Sequence, residues 1–244
     1  EPSISLAFVE RPEEMAAADL VILPGTKQTL DDLRWLEQRG FALEIRRLAD
    51  IGIPIVGICG GFQMLGLSIE DPDGIENHGV PCSRTAFGLL PARTVLQEEK
   101  TVQRVRGFLR GNFFGNDPAP PIPFEGYEIH VGETFYEAGT HLLADVQCHG
   151  ETKFVGDGAV SASGRVFGTY VHGLFDNDEL RHAFIRTARA AVDLAPAGKY
   201  ARIGAEREAR IDRLGDHLRK SLDKNLLKSW IVDPSAPTVQ KRQG

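Results

Sequence analysis

Three short apolar, β-branched runs, at residues 3–9, 20–23 and 53–58, are each bounded by turn residues. Runs that stay apolar without alternation suit strands covered on both faces, as in a parallel sheet. Between the second and third runs, Leu30, Leu33, Leu36, Phe41, Ile45 and Leu48 recur at roughly helical spacing within residues 29–49, with Asp31 and Asp32 near the start. Acidic residues there complement the positive end of a helix. Strand, helix and strand in this order predict a βαβ unit with parallel strands and a right-handed crossover. The N-terminal half is expected to be a doubly wound α/β layer.

From residue 87 to 171 the texture changes to short strand-like runs at 102–109, 126–135 and 165–171. These predict an antiparallel extension of the sheet. The proline-rich stretch 116–123, NDPAPPIP, lacks N–H donors and reads as an exposed loop. Helical periodicity returns at 178–192 and 206–230; in the latter, Ile211, Leu214, Leu218, Leu222 and Leu226 form a stripe on a charged helix. Packing of that stripe against the body is the expectation, with a partner-binding helix as the alternative. The fold class is therefore α/β, three layers around a mostly parallel sheet with an antiparallel extension. One domain is expected over 1–230, with a flexible tail at 231–244.

Composition narrows the function classes. With 28 Lys+Arg against 34 Asp+Glu the net charge is −6 and no basic block stands out, so neither nucleic acid nor an anionic membrane is an expected partner. No apolar run approaches the ~20 residues of a membrane span. Three widely spaced Cys form neither a disulfide framework nor a metal site, which points to the cytoplasm and to no bound metal. The chain starts at Glu1 without Met, and it is expected to be part of something longer.

Residues 53–67, IPIVGICGGFQMLGL, set Cys59 between a strand and a short helix with Gly57, Gly60 and Gly61 around it. This is the spacing of a nucleophile elbow, a sharp turn that needs small neighbours. A thiol there faces a helix N-terminus, expected to favour thiolate, and the next backbone N–H is aimed at an oxyanion. The bland alternative is a small buried residue in a tight turn, which is the reading for Cys82 and Cys148. Of seven His, His172 ends the run VFGTYV and is the first choice as general base, with His130, at the end of EGYEIH, the second. Pro24, Gly25 and Thr26 after the 20–23 strand offer N–H groups opposite Gly60. Lys27 does not make a phosphate loop, since Thr26 stands where Gly is required.

Together LPGT (23–26), GICGGFQMLG (57–66) and GTYVHGLFDN (168–177) resemble the class I, or triad, glutamine amidotransferases. DPDGIE (71–76), FGLLP (87–91), GYEIHVGET (126–134) and RLGDHLRKSLD (213–223) make the chain similar, more narrowly, to the C-terminal glutaminase domain of cobyric acid synthases. The resemblance implies that Cys59 attacks the glutamine amide to give a thioester and that His172 is base and then acid. It also implies that Gly25, Thr26 and Gly60 form the oxyanion hole, while Gln63, Tyr127 and His130 bind substrate. No cofactor is expected in this chain. ATP and Mg²⁺ are expected in an absent N-terminal synthetase domain, through which the ammonia would reach a corrinoid acceptor in cobalamin biosynthesis.

One departure matters. Triad enzymes carry Glu two residues after the His, and here that position is Leu174. The cobyric acid synthase subgroup shares this. Glu128, Asp176, Asp178 or an acidic residue from another domain are the substitutes. Alternative readings are a glutaminase serving cobyrinic acid or a cell-wall lipid precursor, and a non-catalytic docking module.

Overall fold

The protein is described from a computed structural model, for residues 1–111, 113–114, 120–223 and 227–228. It divides into two units, Glu1–Ala201 and the residues from Arg202 onward.

The first unit is built on β1 (Val21–Leu23), α1 (Thr29–Gln38), α2 (Phe41–Asp50), β2 (Ile55–Ile58) and α3 (Gly60–Leu65). β1 and β2 pair in parallel, Val21 opposite Ile55, as the βαβ pattern predicts. The single helix expected over 29–49 is two helices. Gly40, with φ 83°, starts the second in a left-handed conformation that other residues rarely adopt. The strand expected at 3–9 does not form: its Leu6 and Phe8 are exposed, and no ladder pairs the segment. An apolar run becomes a strand only where a neighbour satisfies its backbone. Glu1 is instead tied to Arg181 by a buried ion pair of 2.7 Å.

Downstream come β3 (Ser68–Asp71), β4 (Cys82–Thr85), β5 (Ala92–Leu109), β6 (Ile122–Tyr136), β7 (Ala144–Cys148), β8 (Val155–Asp157), β9 (Ala159–Val160), β10 (Val166–Thr169), β11 (Val171–His172) and α4 (Asp178–Ala191). β10 adds to β2 in parallel and β9 closes that four-stranded sheet antiparallel. The antiparallel part is not a continuation of this sheet. It is a separate seven-stranded sheet ordered β11-β6-β5-β3-β4, with β7 and β8 attached through β5. The chain passes from one sheet to the other at Tyr170, so β10 and β11 share one run of sequence but different neighbours. Of the expected 116–123 loop, residues 116–119 lie outside the described residues. Ile122 and Pro123 belong to β6, where Pro123 opposes Phe108 beyond the stretch that β11 covers.

Alternate residues of the parallel strands feed two cores. Ile55 and Val166 pack with Leu33, Ile45 and Leu48 of α1 and α2. Val56 and Phe167 pack with Leu180, Phe184 and Ile185 of α4. Both faces of the sheet are therefore dry, which is why its strands read as continuous apolar runs.

The second unit contains α5 (Ile203–Ser221), with Glu206 in its first turn and Arg219 and Lys220 in its last, as the helix dipole favours. It ends before the boundary that periodicity predicts. Leu226 and the predicted tail at 231–244 lie outside the described residues.

α3 lies unusually close to the sheet. A methyl on Gly61 would stand 2.1 Å from the Leu23 carbonyl oxygen, and one on Gly168 would stand 2.3 Å from the Phe62 ring. Gly61→Ala is expected to lower Tm by at least about 4 °C, from an overpacking cost of ~2 kcal/mol or more. Gly198→Ala, which meets nothing within 4 Å, is the control and should shift it by under about 1 °C; differential scanning calorimetry checks both.

Candidate active site

β2 ends at Ile58, and the next residue, Cys59, has φ 52° and ψ −113°. Such a conformation costs a non-glycine residue about 1–3 kcal/mol and persists only where neighbours enforce it. Here the Cys59 N–H donates to the Thr169 carbonyl at 2.8 Å, and the Gln63 N–H donates to the Cys59 carbonyl at 3.0 Å. One bond ties the elbow to β10 and the other starts α3. The elbow expected from sequence is present. The sulfur projects toward β6, where Sγ donates to the Ile129 carbonyl at 3.4 Å.

Gly25 marks the centre of the site. A Cβ placed on it would lie 3.2 Å from His172 Cε1 and 3.3 Å from Cys59 Cβ. The loop after β1, the elbow after β2 and the end of β11 thus converge on one point, and any side chain at Gly25 would crowd both Cys59 and His172. Thr26 follows: a Cβ on Gly60 would lie 3.1 Å from the Thr26 nitrogen, so the two residues pack closely. The Thr26 hydroxyl bonds to Asp32 and accepts from the Gln28 N–H at 3.2 Å, which fixes the loop.

His172 sits on β11 directly opposite Tyr127 of β6. The two rings stack at 5.2 Å with 9° between their planes. Its Nε2 is buried without a hydrogen-bond partner, while the imidazole hydrogen-bonds to the Ile129 main chain. Leu174 is buried in the α4 core. Glu128 accepts from Gln103 at 2.6 Å and Asp178 pairs with Arg181 at 2.6 Å. Asp176 stands beside Gly173, which a Cβ would bring within 3.6 Å of its Oδ2. The contact that the sequence sought in a carboxylate is made by a backbone carbonyl strand instead.

Burial sets the electrostatics. It pushes the Cys59 thiol above its ordinary value; the Gly60 N–H works against this and the Glu76 carboxylate adds to it. Burial likewise lowers His172, partly countered by the Ile129 main chain. The expected thiolate therefore gives way to a thiol beside a neutral imidazole. The six-residue α3 is too short, and the sulfur too dry, for the helix terminus to dominate.

Gln63 is placed differently from the expectation of a ligand contact. It is 3% exposed. Its amide N–H groups donate to the Val131 carbonyl and the Tyr170 hydroxyl, both at 3.1 Å, and its carbonyl accepts from Thr29 at 3.2 Å. Both amide protons are used inside the protein, so Gln63 fastens α3 to β6 and α1. His130 lies at 3.8 Å in a stack on Tyr170, with Nδ1 at 3.2 Å from the Gly132 carbonyl. Burial lowers it too.

Three residues that sequence reasoning passed over complete the site. Glu76 reaches from the loop after β3 to accept the Leu30 N–H at 2.9 Å, capping α1; buried Asp71 holds that loop through the N–H groups of Ile75 and Glu76. Asp157 bonds to the Thr169 hydroxyl and accepts the Tyr170 N–H at 3.2 Å, steering the chain from β10 into β11. Burial pushes its carboxyl up to about 7. Only the DPDGIE run hinted at any of these. Cys82 and Cys148 lie on β4 and β7, away from this convergence. Among the described residues no group of ligating side chains is gathered to hold a metal ion, and no helix is long and apolar enough to cross a membrane.

Residues 1–180 match the family described as the CobB/CobQ-like glutamine amidotransferase domain. The chain is 39% identical to a cobyric acid synthase of Moorella thermoacetica over 91% of its own length, and 42% identical to one of Methylorubrum populi over the same share. It spans 43% and 42% of those relatives. Among solved structures, one titled as a glutamine amidotransferase has the same fold, with a TM-score of 0.50 and 17% identity over 79% of this chain and 89% of that one. With the elbow, the glycine-centred site and a family match over most of its length, this chain belongs to the CobB/CobQ-like glutamine amidotransferase domain family.

Proposed function

We propose that this chain is the glutaminase domain of a cobyric acid synthase. The observation that carries the chemistry is the approach of Cys59 and His172 to one point beside Gly25. His172 takes the thiol proton as Cys59 Sγ attacks the glutamine side-chain carbonyl. The oxyanion forms against the N–H groups of Gly60 and Thr26. Collapse expels ammonia, which leaves with the proton from His172 and a γ-glutamyl thioester on Cys59. His172 then deprotonates water for hydrolysis, giving glutamate and restoring the thiol. Tyr127 lines the approach to His172, whereas Gln63 and His130 serve from behind as fixed supports.

The acceptor side rests on the relatives. Cobyric acid synthases are among the curated proteins this chain resembles, which supports delivery of the ammonia to corrinoid carboxylates at a synthetase domain elsewhere in the protein. ATP and Mg²⁺ belong to that domain. Cobyrinic acid or a cell-wall lipid precursor as acceptor has no observation in its favour, and a purely docking role would not call for a strained, glycine-flanked Cys beside an unpartnered imidazole nitrogen. A cytoplasmic setting accords with the acidic chain and free thiols.

Cys59→Ala should abolish ammonia release from glutamine, and a glutamine-mimicking chloroketone should label Cys59 in the unsubstituted chain; labelling of Cys82 or Cys148 instead contradicts the assignment. His172→Ala should lower kcat by at least ~10²-fold, with near-normal turnover moving the base to His130. The pH dependence has a definite sign. His172 titrates below 6.5 because burial disfavours its charged form, so the neutral base persists as pH falls. The acid limb of kcat/KM should lie below pH 6.5, and a limb above it contradicts a buried neutral imidazole as the base.

A further inference from the structure

Triad enzymes hold their histidine with a carboxylate, and this chain has none in that place. Leu174 faces the α4 core with Leu180 and Phe184, so no polar group reaches the imidazole from the residue where Glu is usual. Glu128 and Asp178 are held by Gln103 and Arg181. A catalytic imidazole free to turn about its side-chain bonds spends time in unproductive orientations, a loss that reaches orders of magnitude in rate.

β6 supplies the restraint. β11 is two residues long, and its ladder is with β6, pairing Val171 with Glu128 and His172 with Tyr127. Directly opposed residues on antiparallel strands share one face and touch. Here they stack nearly parallel, at 9° and 5.2 Å. Two residues on, the Ile129 carbonyl accepts the Cys59 thiol at 3.4 Å. One strand therefore contacts both members of the pair.

We propose that Tyr127 is the positioning residue of this site, fixing the plane of the His172 ring by stacking, alongside the Ile129 main chain two residues on, which hydrogen-bonds the imidazole and whose carbonyl also accepts the thiol. This rests on the reading of Cys59 and His172 as nucleophile and base. The contact is made by the Tyr127 ring, so its hydroxyl is dispensable. Tyr127 is 44% exposed: it stands between one face of the imidazole and solvent, and removing it should hydrate the ring as well as free it.

The test compares Tyr127→Leu and Tyr127→Phe in the whole chain, reading ammonia release across glutamine concentration and pH, with Cys59→Ala and His172→Ala alongside. Tyr127→Leu should lower kcat by about 10- to 100-fold, leave KM within about twofold, and move the acid limb up toward the ordinary histidine value. Tyr127→Phe should return kcat to within about threefold of the unsubstituted chain and restore the limb. The proposal is overturned if Tyr127→Leu keeps full kcat, if its loss falls mainly in KM, if the acid limb stays where it was, or if Tyr127→Phe is as impaired as Tyr127→Leu. Should His172→Ala itself remain active, the reading of the base fails; an inactive His172→Ala with a normal Tyr127→Leu sinks the positioning role alone.

Discussion

Everything at this site depends on how closely α3 can lie against the parallel sheet. The elbow places Cys59 in a left-handed conformation at a cost of about 1–3 kcal/mol, and the offset comes from what that turn lets the chain bury. Phe62 and Leu65, 1% and 0% exposed, fall directly onto the strands, each contributing roughly 1.5–3 kcal/mol. That seating requires Gly61 under the Leu23 carbonyl and Gly168 under Phe62. Glycine at those places is a packing necessity, and the direction of the sulfur toward β6 is its consequence.

Close approach also explains the electrostatics. Burial at the junction of the two sheets favours the neutral forms of both the thiol and the imidazole, raising the first pKa and lowering the second. A site in this state stores no charge before substrate arrives. In the proposed mechanism, negative charge develops only when sulfur attacks carbonyl carbon, beside the backbone N–H groups of Gly60 and Thr26. The buried framework of Gln63, Thr29, Tyr170 and Asp157 ties α3, α1 and the two sheets together by hydrogen bonds within the protein.

The parts of this that sequence made legible are those encoded locally. Gly57, Gly60 and Gly61 around Cys59 announce the elbow, and the uninterrupted apolar runs at β1 and β2 announce a sheet covered on both faces, whereas β10 reads as part of the antiparallel extension and joins the parallel sheet instead. Gly40 is passed over: its left-handed turn divides into two helices what periodicity joins. What stayed hidden depends on residues brought together from far along the chain. The thiol's raised pKa follows from burial and from Glu76, seventeen positions on by sequence but adjacent only through the loop that Asp71 organises. Gln63 has the chemistry of a substrate contact, and only its three internal partners assign it to the framework. The Tyr127 stack on His172 follows from the register of β11 on β6, which no pattern within either strand fixes, and a backbone carbonyl such as that of Ile129 leaves no mark in a sequence at all.

The most direct test of the account is mass analysis of the intact chain after mixing with glutamine and quenching in acid, followed by peptide mapping. A covalent thiol–glutamine route from Cys59 predicts a γ-glutamyl adduct confined to the peptide carrying Cys59, absent from Cys59→Ala. Ammonia release without any such adduct, or an adduct on the peptides of Cys82 or Cys148, would contradict it.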